Sequence, residues 1–124
     1  VLTSLDDIAI KELGIDRSPQ DLVLAWAELA HGAGASGVVA SAREAAALRS
    51  ARGADFLIVA PGIRPGDAVA DDQRRVVTPA AALAAGADVL VVGRPVTRAA
   101  DPVEAAQRIL EEMSAVVRAS NGPL

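Results

Sequence analysis

The chain has 124 residues, of which 52% are apolar and 23% are charged, and its formal net charge is −4. Its basic residues are scattered rather than clustered, which argues against nucleic acid as a partner. It has no cysteine, which excludes disulfides and thiolate metal sites, and no apolar run near the ~20 residues of a membrane span. We therefore expect a cytoplasmic protein without a membrane-embedded part.

The length is also informative about architecture. A single (β/α)8 barrel needs about 250 residues, so this chain is one domain at most and, if its architecture is a barrel, about half of one. A mean hydropathy of +0.32 is high for a small domain and indicates surface that another segment covers. The chain begins with Val1-Leu2-Thr3-Ser4, which resembles the end of a strand, so we expect that a further segment precedes it.

The first helical segments are marked by capping residues. A short helical turn is predicted over residues 5–13, and Ser18 followed by Pro19 predicts a helix that runs to about Gly32. The apolar spacing in this second helix predicts a buried face. That face comprises Leu22, Ala25, Trp26 and Leu29. The only histidine, His31, lies at the helix C-terminus, where a structural role fits better than catalysis.

The rest of the chain alternates strands with helices. Strands are predicted at 1–4, 37–40, 55–60 and 88–92, and helices at 41–52, 78–86 and from Asp101 onward. Ser41 and Glu44 have the spacing of a capping box. In the last helix, a predicted sheet-facing stripe comprises Val103, Ala106, Leu110, Met113 and Val117.

Two of the predicted strands resemble each other and end alike. The sequences GADFLIV and GADVLVV start 33 residues apart, as repeated βα units do. Four such strands form a parallel sheet that more strands must close, so the predicted fold is α/β, about four parallel strands of a half barrel.

Each of these two strands is followed by a glycine and an arginine, at Arg64 and at Gly93-Arg94. In barrels a phosphate site is frequently built after strands 7 and 8, and an arginine there can bind the phosphate with paired hydrogen bonds. The Gly93 N–H is expected close to the same oxygens, and Gln73 in the long loop could close over the ligand. The alternative is that both arginines are solvated loop residues.

Several segments resemble the C-terminal half of the orotidine 5′-phosphate decarboxylase family. The matching pieces are LTS at 2–4, GVVASAREAAALR at 37–49, PGIRP at 61–65, DDQRRVVTPAAALAAGAD at 71–88 and VVGRPVTRAADP at 91–102. They run through nearly the whole chain in the family's order. The resemblance implies a TIM barrel of the ribulose-phosphate-binding type, of which residues 1–124 are the C-terminal half.

The resemblance also implies a function, namely a homodimeric lyase of pyrimidine biosynthesis that converts orotidine 5′-monophosphate to UMP without a metal or organic cofactor. Carried over by position, Arg94, Gly93 and Gln73 would hold the 5′-phosphate, and Pro61 and Arg64 would line the loop that closes over it. Thr3 and Ser4 would reach the pyrimidine. Ala60 stands where many members have threonine, with little expected consequence.

The family's catalytic Asp-x-Lys-x-x-Asp motif is absent from this chain, and its single lysine, Lys11, lies on a short helix. We therefore expect no catalytic residue in this segment, and no activity from it alone. Two alternatives stay open. One is another phosphosugar-binding barrel enzyme, such as a pentulose-phosphate epimerase or hexulose-phosphate synthase. The other is a non-catalytic half-barrel that binds phosphate or pairs with itself.

Overall fold

The structure is a computed structural model that describes residues 6–66 and 77–120. The predicted strand at 1–4 therefore lies outside the described residues. The helices are α1 (Asp7–Glu12), α2 (Pro19–Gly32), α3 (Ala45–Arg52), α4 (Pro79–Ala84), α5 (Arg94–Thr97) and α6 (Pro102–Ser120). The strands are β1 (Gly37–Val39), β2 (Leu57–Pro61) and β3 (Val89–Val91), and a 3-10 turn (Ala42–Glu44) precedes α3.

The three strands form one parallel sheet in the order β1-β2-β3. Ile58 and Ala60 of β2 are fully buried on the face that the helices cover, in a core shared with Leu48 of α3 and Ala82 of α4. On the other face, Leu57 and its neighbours are exposed. The described part of the sheet is therefore covered on one side only.

The predicted helix starts are confirmed by their caps. The Ser18 hydroxyl accepts a hydrogen bond from the Asp21 N–H at 3.1 Å, and the Thr78 hydroxyl accepts one from the Ala81 N–H at 3.2 Å. Asp101 accepts from the first turn of α6. Each side chain satisfies an N–H that has no partner within the helix, which fixes where the helix begins.

The predicted buried face of α2 is wrong in part. Leu22 is buried, but Trp26 is 49% exposed and Leu29 is 70% exposed. The helix instead buries a neighbouring stripe that contains Val23 and Ala27. Both stripes are apolar, so the spacing of apolar residues does not decide which one packs on β1.

The predicted stripe of α6 is wrong in part, for the same reason, although Ala106 and Met113 are half-buried. Val103, Leu110 and Val117 are exposed, whereas Ala105 and Ile109 are buried. The helix packs against α4 and α5. The side chains of Val103, Leu110 and Val117 thus point away from the described core.

No helix among residues 6–66 and 77–120 is long and apolar enough to cross a membrane.

Candidate functional site

The register of the sheet places the two predicted arginines at one edge. Pro61 pairs with Val91 in the parallel ladder between β2 and β3. Arg64 and Arg94 each follow the paired residue by three positions. Because the strands are parallel, both arginines come after the carboxyl ends of their strands. We call this side of the sheet the carboxyl edge.

Arg64 is fixed by the backbone around it. Gly62 takes a φ of 74°, which turns the chain out of β2. Ile63 then forms a single parallel bridge with Val77, and the Arg64 N–H donates to the Val77 carbonyl at 3.1 Å. The Arg64 residue is only 8% exposed. A charged side chain is buried only where polar partners surround it. The burial of Arg64 therefore argues against the alternative that it is a solvated loop residue.

Gly93 and Arg94 begin the short helix α5, which the sequence did not predict. The Gly93 carbonyl accepts hydrogen bonds from the N–H groups of Val96 at 2.9 Å and Thr97 at 3.0 Å. A Cβ placed on Gly93 would meet no heavy atom within 4 Å. Arg94 is half-buried. The backbone at Gly93 is therefore approachable from outside, as contact with a ligand requires.

The other predicted site residues divide into two groups. Pro61 is the last residue of β2 and is half-buried at the carboxyl edge. Thr3, Ser4 and Gln73 lie outside the described residues. Of the predicted set, the structure thus brings Pro61, Arg64, Gly93 and Arg94 to the same edge.

Two further polar residues at this edge were given only a capping role by the sequence. Ser41 is fully buried and Glu44 is 4% exposed, both just beyond the end of β1. The Ser41 hydroxyl accepts from the Arg43 N–H at 3.4 Å, and the Glu44 N–H donates to the Ser41 carbonyl, so this is a 3-10 turn rather than a capping box. The sequence feature that could have pointed to Glu44 is its position after a predicted strand. Its burial could not be predicted, because burial depends on tertiary packing.

The opposite edge of the sheet, where the strands begin, is the amino edge. There Arg49 of α3 bonds to several backbone groups. Its guanidinium donates to four backbone carbonyls, those of Gly53, Ala54, Phe56 and Gly86, at 2.6–3.3 Å. It also contacts the Asp88 carboxylate at 2.6 Å, and the same carboxylate accepts from the Ile58 N–H at 2.7 Å. We call Arg49 and Asp88 the amino-edge clamp. It joins the loops that lead into β2 and β3.

His31 packs at the amino edge, on the other side of the sheet from the arginines. The His31 ring packs edge-on against Phe56, with ring centroids 5.6 Å apart, and Phe56 immediately precedes β2 at the amino edge. Lys11 is exposed in the last turn of α1. Within 6–66 and 77–120, no cluster of three or more His, Cys, Asp or Glu residues could hold a metal ion.

Comparisons with known proteins find matches along most of the chain. The model of the Orotidine 5'-phosphate decarboxylase / HUMPS family matches residues 1–109. A curated relative named Orotidine 5'-phosphate decarboxylase from Syntrophotalea carbinolica is 52% identical over 94% of this chain and 48% of its own length. The protein of the same name from Chromobacterium violaceum is 54% identical over 92% of this chain and 46% of its own length.

Solved structures give the same result. The crystal structure of Orotidine 5'-phosphate decarboxylase from Lactobacillus acidophilus superposes with a TM-score of 0.70 and 35% identity, over 91% of this chain and 46% of that one. An uncharacterized conserved protein from Geobacillus kaustophilus gives a TM-score of 0.68 and 38% identity over the same shares. The chain spans about half the length of the relatives it matches, and its fold is half of a TIM barrel. It belongs to the orotidine 5′-phosphate decarboxylase / HUMPS family.

Proposed function

We propose that this chain is the C-terminal half of an orotidine 5′-phosphate decarboxylase and supplies the phosphate-binding part of its substrate site, with part of the pyrimidine site. The whole protein would remove the C6 carboxylate of orotidine 5′-monophosphate to give UMP, without a metal or organic cofactor, as a cytoplasmic homodimer. The observation that carries the proposal is the shared offset of Arg64 and Arg94 from the paired residues Pro61 and Val91.

The phosphate assignment is supported by chemistry at the carboxyl edge. A phosphate monoester carries close to two negative charges at neutral pH, and arginine offers it a planar set of donors. Arg64 and Arg94 would share this charge. The exposed Gly93 would let the phosphate approach the backbone, and Pro61, Gln73, Thr3 and Ser4 would complete the contacts with the nucleotide.

The substrate class is supported by the relatives. Those from Syntrophotalea carbinolica and Chromobacterium violaceum both bear the name of the decarboxylase and match at 52% and 54% identity. The family description also includes a second group, so the family match alone leaves the alternative of another phosphosugar-binding barrel enzyme. The sequence Pro-Gly-Ile-Arg-Pro followed by Asp-Gln favours the decarboxylase.

A division of labour follows from this assignment. The chain contains one lysine, which is exposed on α1, and no Asp-x-Lys-x-x-Asp motif. The residues that stabilise the carbanion would come from the N-terminal half, so residues 1–124 alone would be inactive. Binding of the phosphate, which does not react, can still raise the rate, because its binding energy orients the reacting ring and closes the site.

The test is a chimera in which this chain replaces the matching segment of the Syntrophotalea carbinolica relative. We expect the chimera to decarboxylate orotidine 5′-monophosphate, and residues 1–124 alone to leave it unchanged. Arg94→Ala should lower kcat/KM by about ten- to a hundred-fold, as expected for one charged hydrogen bond of about 1.5–3 kcal/mol.

Two controls make this test specific. Arg52 forms an ion pair with Glu28 on the helices α3 and α2, away from the carboxyl edge, so Arg52→Ala should leave kcat/KM unchanged. Orotidine, which lacks the phosphate, should be used equally poorly by the chimera with or without Arg94→Ala. If Arg94→Ala lowered kcat/KM equally for orotidine 5′-monophosphate and for orotidine, the phosphate assignment would be contradicted. If the chimera acted only on a different phosphosugar, the proposed substrate would be contradicted.

A further inference from the structure

A carboxylate from α6 bonds to the start of α4. The Glu112 carboxylate accepts a hydrogen bond from the Ala80 N–H at 3.0 Å, although the two residues are 32 positions apart in the chain. Ala80 lies in the first turn of α4, where an N–H group has no partner within the helix. The Thr78 hydroxyl accepts from the next N–H, that of Ala81, at 3.2 Å. The start of α4 is therefore held both by its own cap and by a neighbouring helix.

The residue before this cap is bonded to Arg64. The carbonyl of Val77 accepts a hydrogen bond from the Arg64 N–H at 3.1 Å. Val77 also forms the parallel bridge with Ile63, which is 1% exposed, and it packs against the core. Because Val77 and Thr78 are adjacent in the chain, a shift at the start of α4 would move the backbone that holds Arg64 at the carboxyl edge.

The surroundings of Glu112 favour a role at α4. Pro79, the first residue of α4, and Ala82 are fully buried, so the helix start is packed as well as capped. A negative charge is favourable beside the N–H groups of a helix start, which carry partial positive charge. Glu112 is half-buried, whereas the neighbouring Glu111 is exposed. The carboxylate of Glu112 thus bonds to another helix, and Glu111 offers a matched control on α6.

We propose that Glu112 is a positioning residue for Arg64, and through Arg64 for the phosphate group of the substrate. This inference rests on the proposed function, because it concerns the same phosphate. Glu112 would act through the backbone from Ala80 to Val77 and needs no contact with the substrate. Such an indirect effect is large enough to measure, because a displacement of about 1 Å in a substrate-binding group can cost up to about a hundredfold in rate.

The test uses the chimera with the Syntrophotalea carbinolica relative. Glu112→Ala should lower kcat/KM for orotidine 5′-monophosphate by about fivefold, mainly through a higher KM, because the contact with the phosphate is weakened. It should leave kcat/KM for orotidine, which lacks the phosphate, unchanged. Glu112→Gln keeps an oxygen that can accept from the Ala80 N–H and should restore most of the activity. Glu111→Ala should change neither substrate.

A double-mutant cycle separates positioning from a general loss of stability. If Glu112 acts through Arg64, Glu112→Ala should cost nothing further in a chimera that already carries Arg64→Ala. Alanine is a strong helix former, so α6 should keep its structure in both variants. An undiminished loss in the Arg64→Ala background would contradict the proposal. So would an unchanged kcat/KM, an equal loss for both substrates, or a loss as large from Glu112→Gln or Glu111→Ala.

The two arginine variants show which proposal fails. If Arg64→Ala and Arg94→Ala each leave kcat/KM for orotidine 5′-monophosphate unchanged, the phosphate assignment fails, and the role of Glu112 fails with it. If both variants lower kcat/KM for orotidine 5′-monophosphate and spare orotidine, while Glu112→Ala has no effect, the phosphate assignment stands and only the role of Glu112 is overturned.

Discussion

The two edges of the sheet are built on different principles. At the amino edge, the guanidinium of Arg49 is surrounded by four backbone carbonyls and one carboxylate of the protein itself. At the carboxyl edge, Gly93 faces open space and stands next to a half-buried arginine. In barrels the amino face serves stability and the carboxyl face serves function. From this difference we expect two roles for arginine, a structural one at the amino edge and a ligand-binding one at the carboxyl edge, which mutation can separate.

The largest effect on folding is expected from Arg49→Met. Removal of the guanidinium would leave the Asp88 carboxylate and several carbonyls without their donor, so we expect the free energy of unfolding to fall by about 3 kcal/mol or more. Urea denaturation of the chimera measures this. Arg52→Met, which removes an ion pair whose carboxylate partner Glu28 is 61% exposed, should cost under about 1 kcal/mol. Equal losses for the two variants would contradict the clamp.

A smaller effect is expected from Gly86→Ala. Gly86 has a φ of 98°, and a Cβ there would lie 3.1 Å from the Arg49 side chain. We expect a loss of about 2 kcal/mol, from the left-handed backbone and from displacement of the clamp. Gly53→Ala is the matched control, because Gly53 has a φ of 79° but no atom within 4 Å of its Cβ. If Gly53→Ala costs as much, contact with Arg49 contributes nothing.

A still smaller effect is expected at the start of α4. The Thr78 hydroxyl caps this helix, and the Glu112 carboxylate from α6 accepts a hydrogen bond from the Ala80 N–H at 3.0 Å. Thr78→Ala should lower stability by about 1 kcal/mol, whereas Thr78→Ser, which keeps the hydroxyl, should lower it by much less. Thermal unfolding measures both. An unchanged midpoint for Thr78→Ala would show that Glu112 alone satisfies the helix start.

The smallest effect on stability is expected from Gly93→Ala, at the carboxyl edge. Because its Cβ would meet no atom of the protein, unfolding should change by less than about 1 kcal/mol. The kcat/KM of the chimera for orotidine 5′-monophosphate should nevertheless fall by about tenfold, if the phosphate lies against this backbone. A variant with full activity would remove Gly93 from the site, and one that unfolds would assign it to the scaffold instead.

The sequence predicted the positions of the helices and strands better than it predicted which face of each helix is buried. Ser18, Pro19 and Thr78 act through local hydrogen bonds and backbone geometry, so the starts of α2 and α4 could be predicted. Trp26 and Leu110 were assigned to the core but are exposed. Each helix carries two apolar stripes, and a helix in a barrel packs against neighbours on both sides. Spacing within one helix cannot tell which stripe meets which neighbour.

Part of the candidate site could be predicted from the sequence, and the rest depends on contacts between distant segments. Arg64 and Arg94 could be found because each follows an apolar strand, and parallel strands bring their carboxyl ends together. The burial of Glu44 could not be predicted, because it depends on packing between separate segments. The role of Glu112 was missed too, since its partner Ala80 is 32 residues away in the chain.

The clamp between Arg49 and Asp88 also limits how this fold can be recombined. The two residues are 39 positions apart and belong to the βα units on either side of the unit formed by β2 and α4, yet one carboxylate accepts from both the guanidinium and the Ile58 N–H. A crossover anywhere between positions 49 and 88 would inherit one half of the pair from each parent. Hybrid barrels made by recombining distant homologues should therefore fold when the junction lies outside this interval. When the junction lies within it, they should fold only if both parents carry the same pair.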